Sequence, residues 1–414
     1  MNGVGQPPFI GVDFSMCDYL KEAHIPYSRL HDVGGAFGGN LYVDIPNLFR
    51  NFEADPSDPA SYDFAFTDLL ISALVERGIE PFFRLGVTIE NYRTVKPYRI
   101  DPPKDYYKWA QICEGVIKHY TEGWANGFCY DITYWEIWNE PDNYEDPAEN
   151  QMWTGTPEEY YRLYDVASKY LKGKFPHLKI GGYASCGFYA LTKSKSSFAA
   201  CSPREQYFME FFDGFIEYIK SNNCPLDFFS WHSYSSIEDN IIWADYVRNR
   251  LDEAGYDKTE HTLNEWNCCP DLIRTVRHAV LTAGMLLALQ NTTLDSAMFY
   301  DARCGMSIYS GLFDCVTYKP LPAYYSFLAF GELYKRGRQV SVSDLPQGVY
   351  GCAAKAEDGC IVLANTNEKP VELELVLSGA AIATCKVIKA GAVWENFNWE
   401  GQIPGEAVIF MSCE

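Results

Sequence analysis

From residue 18 onward, short runs of β-branched and aromatic residues alternate with longer stretches whose apolar positions recur at helical spacing. Each pair takes about 30 to 50 residues, the rhythm of repeated strand–helix units and therefore of a parallel sheet. The pattern predicts strands at residues 27–31, 81–86, 132–139, 179–184, 227–234, 261–266 and 296–301. These are seven, and a closed barrel of such units needs eight. The remaining strand is expected within residues 3–13, ahead of a helix-like stretch at 17–23. That count makes the 132–139 strand the fourth and the 261–266 strand the seventh.

Helix starts are marked by Asp58-Pro59, before an apolar-periodic stretch that ends at Gly78, and by Thr156-Pro157-Glu158-Glu159, ahead of residues 160–171. After Gly337 the pattern changes to short alternating runs at 360–364, 371–377 and 407–411, separated by Asn, Gly and Pro turns. The fold class expected is therefore α/β: a (β/α)8 TIM barrel over residues 1–335 with a small all-β, sandwich-like accessory domain over 336–414.

Composition narrows the function. A formal charge of -21 repels phosphate backbones and anionic headgroups, which argues against nucleic acid and membranes as partners. No apolar run approaches the roughly 18 residues of a membrane span, and no leader-like segment opens the chain, so a cytoplasmic protein is expected. The 14 cysteines lack zinc-ligand spacing and read as reduced thiols. Cys268 and Cys269 stand near a candidate site, but a free Cys is commonly a small buried hydrophobe. Aromatic content of 16% supplies flat faces suited to sugar rings, although most such residues serve the core.

Two strand ends carry the chemistry. Trp135-Glu136-Ile137-Trp138-Asn139-Glu140-Pro141-Asp142 runs from a strand into a corner at the barrel's C-terminal rim, where barrel active sites lie. Thr262-Leu263-Asn264-Glu265-Trp266-Asn267 ends another strand in a carboxylate, three strands further round. Retaining glycoside hydrolysis needs a carboxylic acid to protonate the leaving oxygen and a carboxylate about 5 Å away to attack the anomeric carbon. Glu140 and Glu265 supply that pair, with Glu140 expected to hold its proton through burial and the charge of Glu265. Asn139 is placed to hydrogen-bond the sugar 2-hydroxyl. His31-Asp32 and His232 lack metal-site spacing, so no metal and no cofactor are expected. Arg84 and Glu90 are candidates either for the pocket or for ordinary rim ion pairs.

These residues resemble the retaining barrel glycosidases, and more narrowly family 39 of the glycoside hydrolases, which includes β-xylosidases and α-L-iduronidases. The likeness covers most of residues 1–335 and rests on Ser28-Arg29-Leu30-His31-Asp32, Trp138-Asn139-Glu140-Pro141-Asp142, Trp231-His232-Ser233-Tyr234 and Asn264-Glu265-Trp266. It implies Glu140 as acid/base, Glu265 as nucleophile and Asn139 as the 2-hydroxyl contact, with His31, His232 and Tyr234 as pocket wall and a β-domain packed beside the barrel. Trp266 joins the substrate-binding set. The eighth strand departs from the β-xylosidases: Phe299-Tyr300-Asp301-Ala302-Arg303 replaces a tryptophan-rich segment, and Arg303 either clamps a substrate carboxylate or pairs with Asp301.

The expected activity is exo-acting, retaining hydrolysis of short plant-derived oligosaccharides, β-xylosidase-like, with an α-L-arabinosidase or a uronidase such as α-L-iduronidase as the alternative. A carbohydrate-binding protein without turnover is the alternative from another class, and the presence of both carboxylates weighs against it. A homo-oligomer is left open.

Overall fold

The computed structural model describes the chain except residues 34–42, 90–99, 194–202, 269, 306–308 and 378. Glu90 and Cys269, singled out in the sequence, lie outside the described residues.

Eight parallel strands close into a barrel: β1 (Asn2–Gly5), β2 (Tyr27–Leu30), β3 (Glu80–Leu85), β4 (Tyr134–Ile137), β5 (Lys179–Ser185), β6 (Phe228–Ser233), β7 (Glu260–Trp266) and β8 (Ser296–Phe299). All seven strands expected from the pattern are present, and β1 is the eighth, paired with both β2 and β8. Around them lie α1 (Asp18–Glu22), α2 (Ile45–Leu48), α3 (Ala65–Val75), α4 (Tyr106–Thr121), α5 (Pro157–Lys174), α6 (Tyr189–Thr192), α7 (Pro203–Ser221), α8 (Ile237–Ala254), α9 (Val276–Leu289) and α10 (Pro322–Arg336). No described helix is long and apolar enough to cross a membrane.

Local signals explain most boundaries. At α5 the Thr156 side chain accepts from Glu159 N while Glu159 reaches back to the Thr156 N–H, a reciprocal cap behind Pro157. The Asp58-Pro59 signal behaves differently. Asp58 caps only a short 3-10 turn, Pro59–Ser61, and α3 starts at Ala65, where the Asp63 carboxylate takes a free N–H of its first turn.

The barrel interior is layered, because alternate residues of each strand face inward. Its floor is apolar: Phe82, Tyr134, Phe228 and Met298 form one buried cluster, against which the half-buried Tyr27 packs. Above it comes a polar layer that includes Arg29, Arg84, Glu136, Ser230 and Asn264, all buried. Strand β5 must come close to β6, and a Cβ on Gly181 would lie 2.1 Å from Phe228 O, so only glycine fits there.

Beyond Gly337 the chain forms a six-stranded antiparallel sheet in the order β14-β13-β16-β11-β10-β9: β9 (Gln339–Val340), β10 (Val349–Lys355), β11 (Gly359–Asn365), β13 (Ile382–Lys389), β14 (Ala392–Asn396) and β16 (Ala407–Cys413). A separate pair joins β12 (Val371–Glu372) to β15 (Gln402–Ile403), so the strand expected over 371–377 is only two residues long. Period-two alternation assigns the faces. Cys352, Ala354, Cys360, Val362, Ala364, Val408 and Phe410 join the barrel's core, whereas Ala353, Ile361, Leu363, Ala407, Ile409 and Met411 line a second core on the opposite face. This sheet lies on α9 and α10, and Tyr350 OH donates to Glu238 of α8 at 2.6 Å. Of the twelve described cysteines ten are buried, Cys268 included, and no disulfide joins any two of them.

Candidate active site

Strand β4 ends at Ile137, and Trp138 then adopts a left-handed backbone (φ 73°), as does Glu140 (φ 46°). These two turns break the alternation. Trp138 faces outward, packed on Trp109 and Trp153 with its N–H on Met152 O, and both Asn139 and Glu140 turn into the barrel mouth. In β7 a register shift between Leu263 and Trp266 does the same work, bringing Asn264 and Glu265 inside together.

The two glutamates meet: ligand atoms of Glu140, His232 and Glu265 all lie within 4.8 Å of one another. Glu265 is the deeper (5% exposed against 16% for Glu140). Its Oε1 accepts from Arg29 Nη1 at 2.7 Å and its Oε2 from Tyr234 OH at 2.9 Å. Glu140 Oε1 is 2.7 Å from His232 Nδ1, and its Oε2 accepts from Asn143 Nδ2 at 2.9 Å.

Below them Arg29 is wholly buried and shared three ways. Nε donates to Glu136 at 2.8 Å, Nη1 to Glu265, and Nη2 to Asn139 Oδ1 at 2.6 Å. Glu136 is held in turn by Ser230 (2.6 Å) and Asn264 (2.5 Å). With its oxygen fixed by Arg29, the Asn139 amide keeps its Nδ2 donors for a ligand, consistent with the role expected for it. His31 accepts from Arg84 Nε at 3.2 Å and turns Nε2 towards Asp32 (3.2 Å) and Glu265 (3.7 Å). Burial, together with the charges of Arg29 and Arg84, lowers its pKa well below the usual imidazole value, so it is neutral. Arg84 ion-pairs with Asp44 at 2.6 Å, which settles its place as a buried strut under His31.

Proton placement departs from the expectation. Burial alone would raise the Glu140 carboxyl, but the hydrogen bond and charge of His232, aided by Arg204 and Asn143, outweigh it and hold the pKa below the ordinary glutamate value. His232 is raised: burial disfavours its charged form, and Glu265 and Glu140 more than compensate. These opposite shifts bias the shared proton towards His232, one hydrogen bond from Glu140, because this imidazole contacts both carboxylates. Glu265 is raised by burial, with the charge of Glu140 adding and those of His232 and Arg29 opposing. Asp142, pushed up to about 7 by burial and by Glu140, anchors the corner to β5 through Ser185 Oγ and Cys186 N.

Glu140, Glu265, Asn139, His31, His232 and Tyr234 thus converge as the sequence suggested. Trp266 does not. It follows Glu265 on the strand, so it points outward and is buried against Phe299 and Phe327. Arg303 pairs with Asp301, its Nε and Nη2 on Oδ2 at 2.9 and 2.8 Å and its backbone N on Oδ1, the second of the two roles considered for it. Sequence reasoning missed Arg29, Glu136 and Asn143, although Arg29 shares strand parity with His31 and Glu136 shares it with Tyr134. Tyr300 was also missed; its hydroxyl donates to Asp32 at 2.9 Å, and Tyr309 packs between it and Tyr234. Glu140, His232 and Glu265 could offer three ligands to a cation, but Arg29 already pairs with Glu265 and His232 already lies in hydrogen-bond contact with Glu140.

Fold and site together define a (β/α)8 barrel with a paired-carboxylate centre on its C-terminal rim. The chain belongs to the glycosyl hydrolases family 39, whose family model matches residues 25–280. It is 27% identical over 247 residues to a β-xylosidase of Geobacillus stearothermophilus and 27% over 257 residues to one of Caldicellulosiruptor saccharolyticus. These stretches are 57% and 56% of this chain and only 43% and 46% of the relatives, so the match spans less than half of each relative's length. Among solved structures, a glucosidase from Croceicoccus marinus superposes with a TM-score of 0.76 at 20% identity, covering 99% of this chain and 95% of that one. A GH39 β-xylosidase from Caulobacter crescentus gives 0.66 at 16%, covering 100% and 95%. At such identities the structural likeness establishes the fold.

Removing Arg29 leaves Glu136 and Glu265 buried without their shared cation, so Arg29→Met is expected to destabilise the fold by about 3–5 kcal/mol. Urea unfolding of Arg29→Met and of Arg29→Met/Glu136→Gln measures this, and the second substitution should restore part of the loss. Stability within about 1 kcal/mol of wild type, the scale of an exposed pair, would contradict the three-way role.

Proposed function

We propose that the protein is a retaining, exo-acting glycosidase, β-xylosidase-like, that works on short oligosaccharides without a cofactor. The observation that carries this reading is the approach of the Glu140 and Glu265 carboxyl oxygens to within 4.8 Å. Retaining enzymes hold the pair at about 5–5.5 Å, whereas inverting ones leave room for a water at about 6.5–9.5 Å.

In this scheme Glu265 attacks the anomeric carbon as the glycosidic C–O bond breaks, and Glu140 delivers a proton to the departing oxygen. That proton is supplied across the 2.7 Å contact between His232 and Glu140. Water then attacks the glycosyl ester, giving its proton back to Glu140 and releasing Glu265. The Asn139 donors bind the 2-hydroxyl, a contact that strengthens in the oxocarbenium-like state. Likeness to two β-xylosidases supports a pentoside, and the occupation of Arg303 by Asp301 favours a neutral glycone over a uronide. The free thiols are in keeping with a cytoplasmic site of action.

Two tests follow. A panel of aryl glycosides (β-xyloside, α-arabinofuranoside, β-glucoside, α-iduronide) should include one that wild type cleaves and that Glu265→Ala leaves at 10³-fold lower rate or less, on the scale of a lost nucleophile. NMR of the first-formed sugar should show the substrate's own anomer; the opposite anomer would exclude retention. The pH profile of kcat/KM supplies the second. Activity needs Glu265 ionised, so it falls as pH drops through a pKa above the ordinary glutamate 4.5. It also needs the His232–Glu140 proton, so it falls as pH rises through a pKa above the ordinary imidazole 6.5. His232→Asn should move the alkaline limb down and, by removing a charge that lowers the Glu265 pKa, move the acid limb up; an unmoved alkaline limb would remove His232 from the proton path.

A further inference from the structure

Carboxylates outnumber basic side chains by 55 to 34, so an arginine without a carboxylate partner is the exception here. Among the described arginines this holds for Arg162, Arg204 and Arg338; the first and last are exposed, and Arg204 alone is partly buried.

Arg204 stands in the first turn of α7. Its Nε donates to the Asn143 carbonyl at 2.7 Å, and its guanidinium lies over the rings of Tyr144 and Phe208, 4.3 and 5.0 Å from their centroids. One hydrogen bond and two rings fix the plane of the group. Among the described residues the terminal Nη1 and Nη2 find no hydrogen-bond partner, and neither is a sealed buried atom. Asn143 links this fork to the chemistry, since its Nδ2 holds Glu140 Oε2 while Glu140 Oε1 faces His232 and, beyond it, Glu265. Arg204 therefore approaches Glu140 from the side of Oε2, whereas His232 and Glu265 lie on the side of Oε1. The cleaved sugar sits over the nucleophile and the leaving group departs past the acid, which puts Arg204 on the leaving-group side.

We propose that Arg204, backed by Tyr144, is a leaving-group subsite for a carboxylate, so that the preferred glycosides carry an acidic group on the part released. A planar, weakly hydrated fork held against aromatic rings suits a carboxylate bound through two parallel hydrogen bonds. The inference rests on Glu140 being the acid of the proposed reaction.

The test uses a matched pair, 3-carboxyphenyl β-xyloside and its methyl ester, with binding to Glu265→Ala read by calorimetry and turnover read on wild type. The acid is expected to bind about tenfold more tightly than the ester, the scale of a charge-assisted pair. In Glu265→Ala/Arg204→Gln the ratio should fall to within twofold of one, the ester serving as internal reference for any damage to the fold. A ratio near one with Arg204 present, a ratio that survives its replacement, or no measurable binding of the acid would each overturn the subsite. Absent turnover of both glycosides with the binding ratio intact would instead count against the glycosidase reading and leave the subsite standing.

Discussion

A single buried guanidinium organises the centre of this molecule. Arg29 rises from the second strand into the polar layer of the barrel and bonds Glu136, Glu265 and Asn139 from three of its nitrogens. A charge buried this deeply is tolerated only when paired and hydrogen-bonded on every side, which ties β2, β4 and β7 into one arrangement. Two carboxylates on different strands could otherwise relax away from each other. With Arg29 between them, the position of Glu265 follows from that of Glu136, and Glu136 is itself clamped by Ser230 and Asn264.

Above this layer, His232 governs where protons reside. Its one ring nitrogen lies 2.7 Å from Glu140 and 3.5 Å from Glu265, so each carboxylate feels the other through the same imidazole. The neutral His31 on the far side of Glu265 carries no competing charge, because burial, aided by the charges of Arg29 and Arg84 beneath it, suppresses its protonation. Two histidines in one pocket are thus shifted in opposite directions, one raised by carboxylates and the other lowered by burial and guanidiniums.

Much of the architecture was legible because barrel strands announce themselves by run length and spacing, and both glutamates stand at strand ends where that architecture places chemistry. What the sequence hid is instructive. Trp266 adjoins Glu265 and was grouped with the pocket, yet strand alternation sends it to the barrel exterior, where Phe327 covers it. Conversely, Asn139 and Glu140, or Asn264 and Glu265, share the interior only through the left-handed residues after β4 and the register shift in β7, irregularities that no periodicity reveals. The proton on His232 was equally unreadable, since it depends on a contact between residues 92 positions apart. Arg29 was within reach: an arginine at an inward position of a barrel strand requires carboxylates, and Glu265, one of its two partners, stood in plain view.

The central claim is that this framework presents Glu265, and not Glu140, as the group that attacks the sugar. An activated 2-deoxy-2-fluoro xyloside, whose fluorine slows breakdown of a glycosyl ester more than its formation, tests this directly by peptide mass spectrometry. The account predicts a stable adduct on the peptide that contains Glu265, formed as activity is lost. An adduct on the peptide that contains Glu140, or none in protein that hydrolyses the parent xyloside, would contradict it.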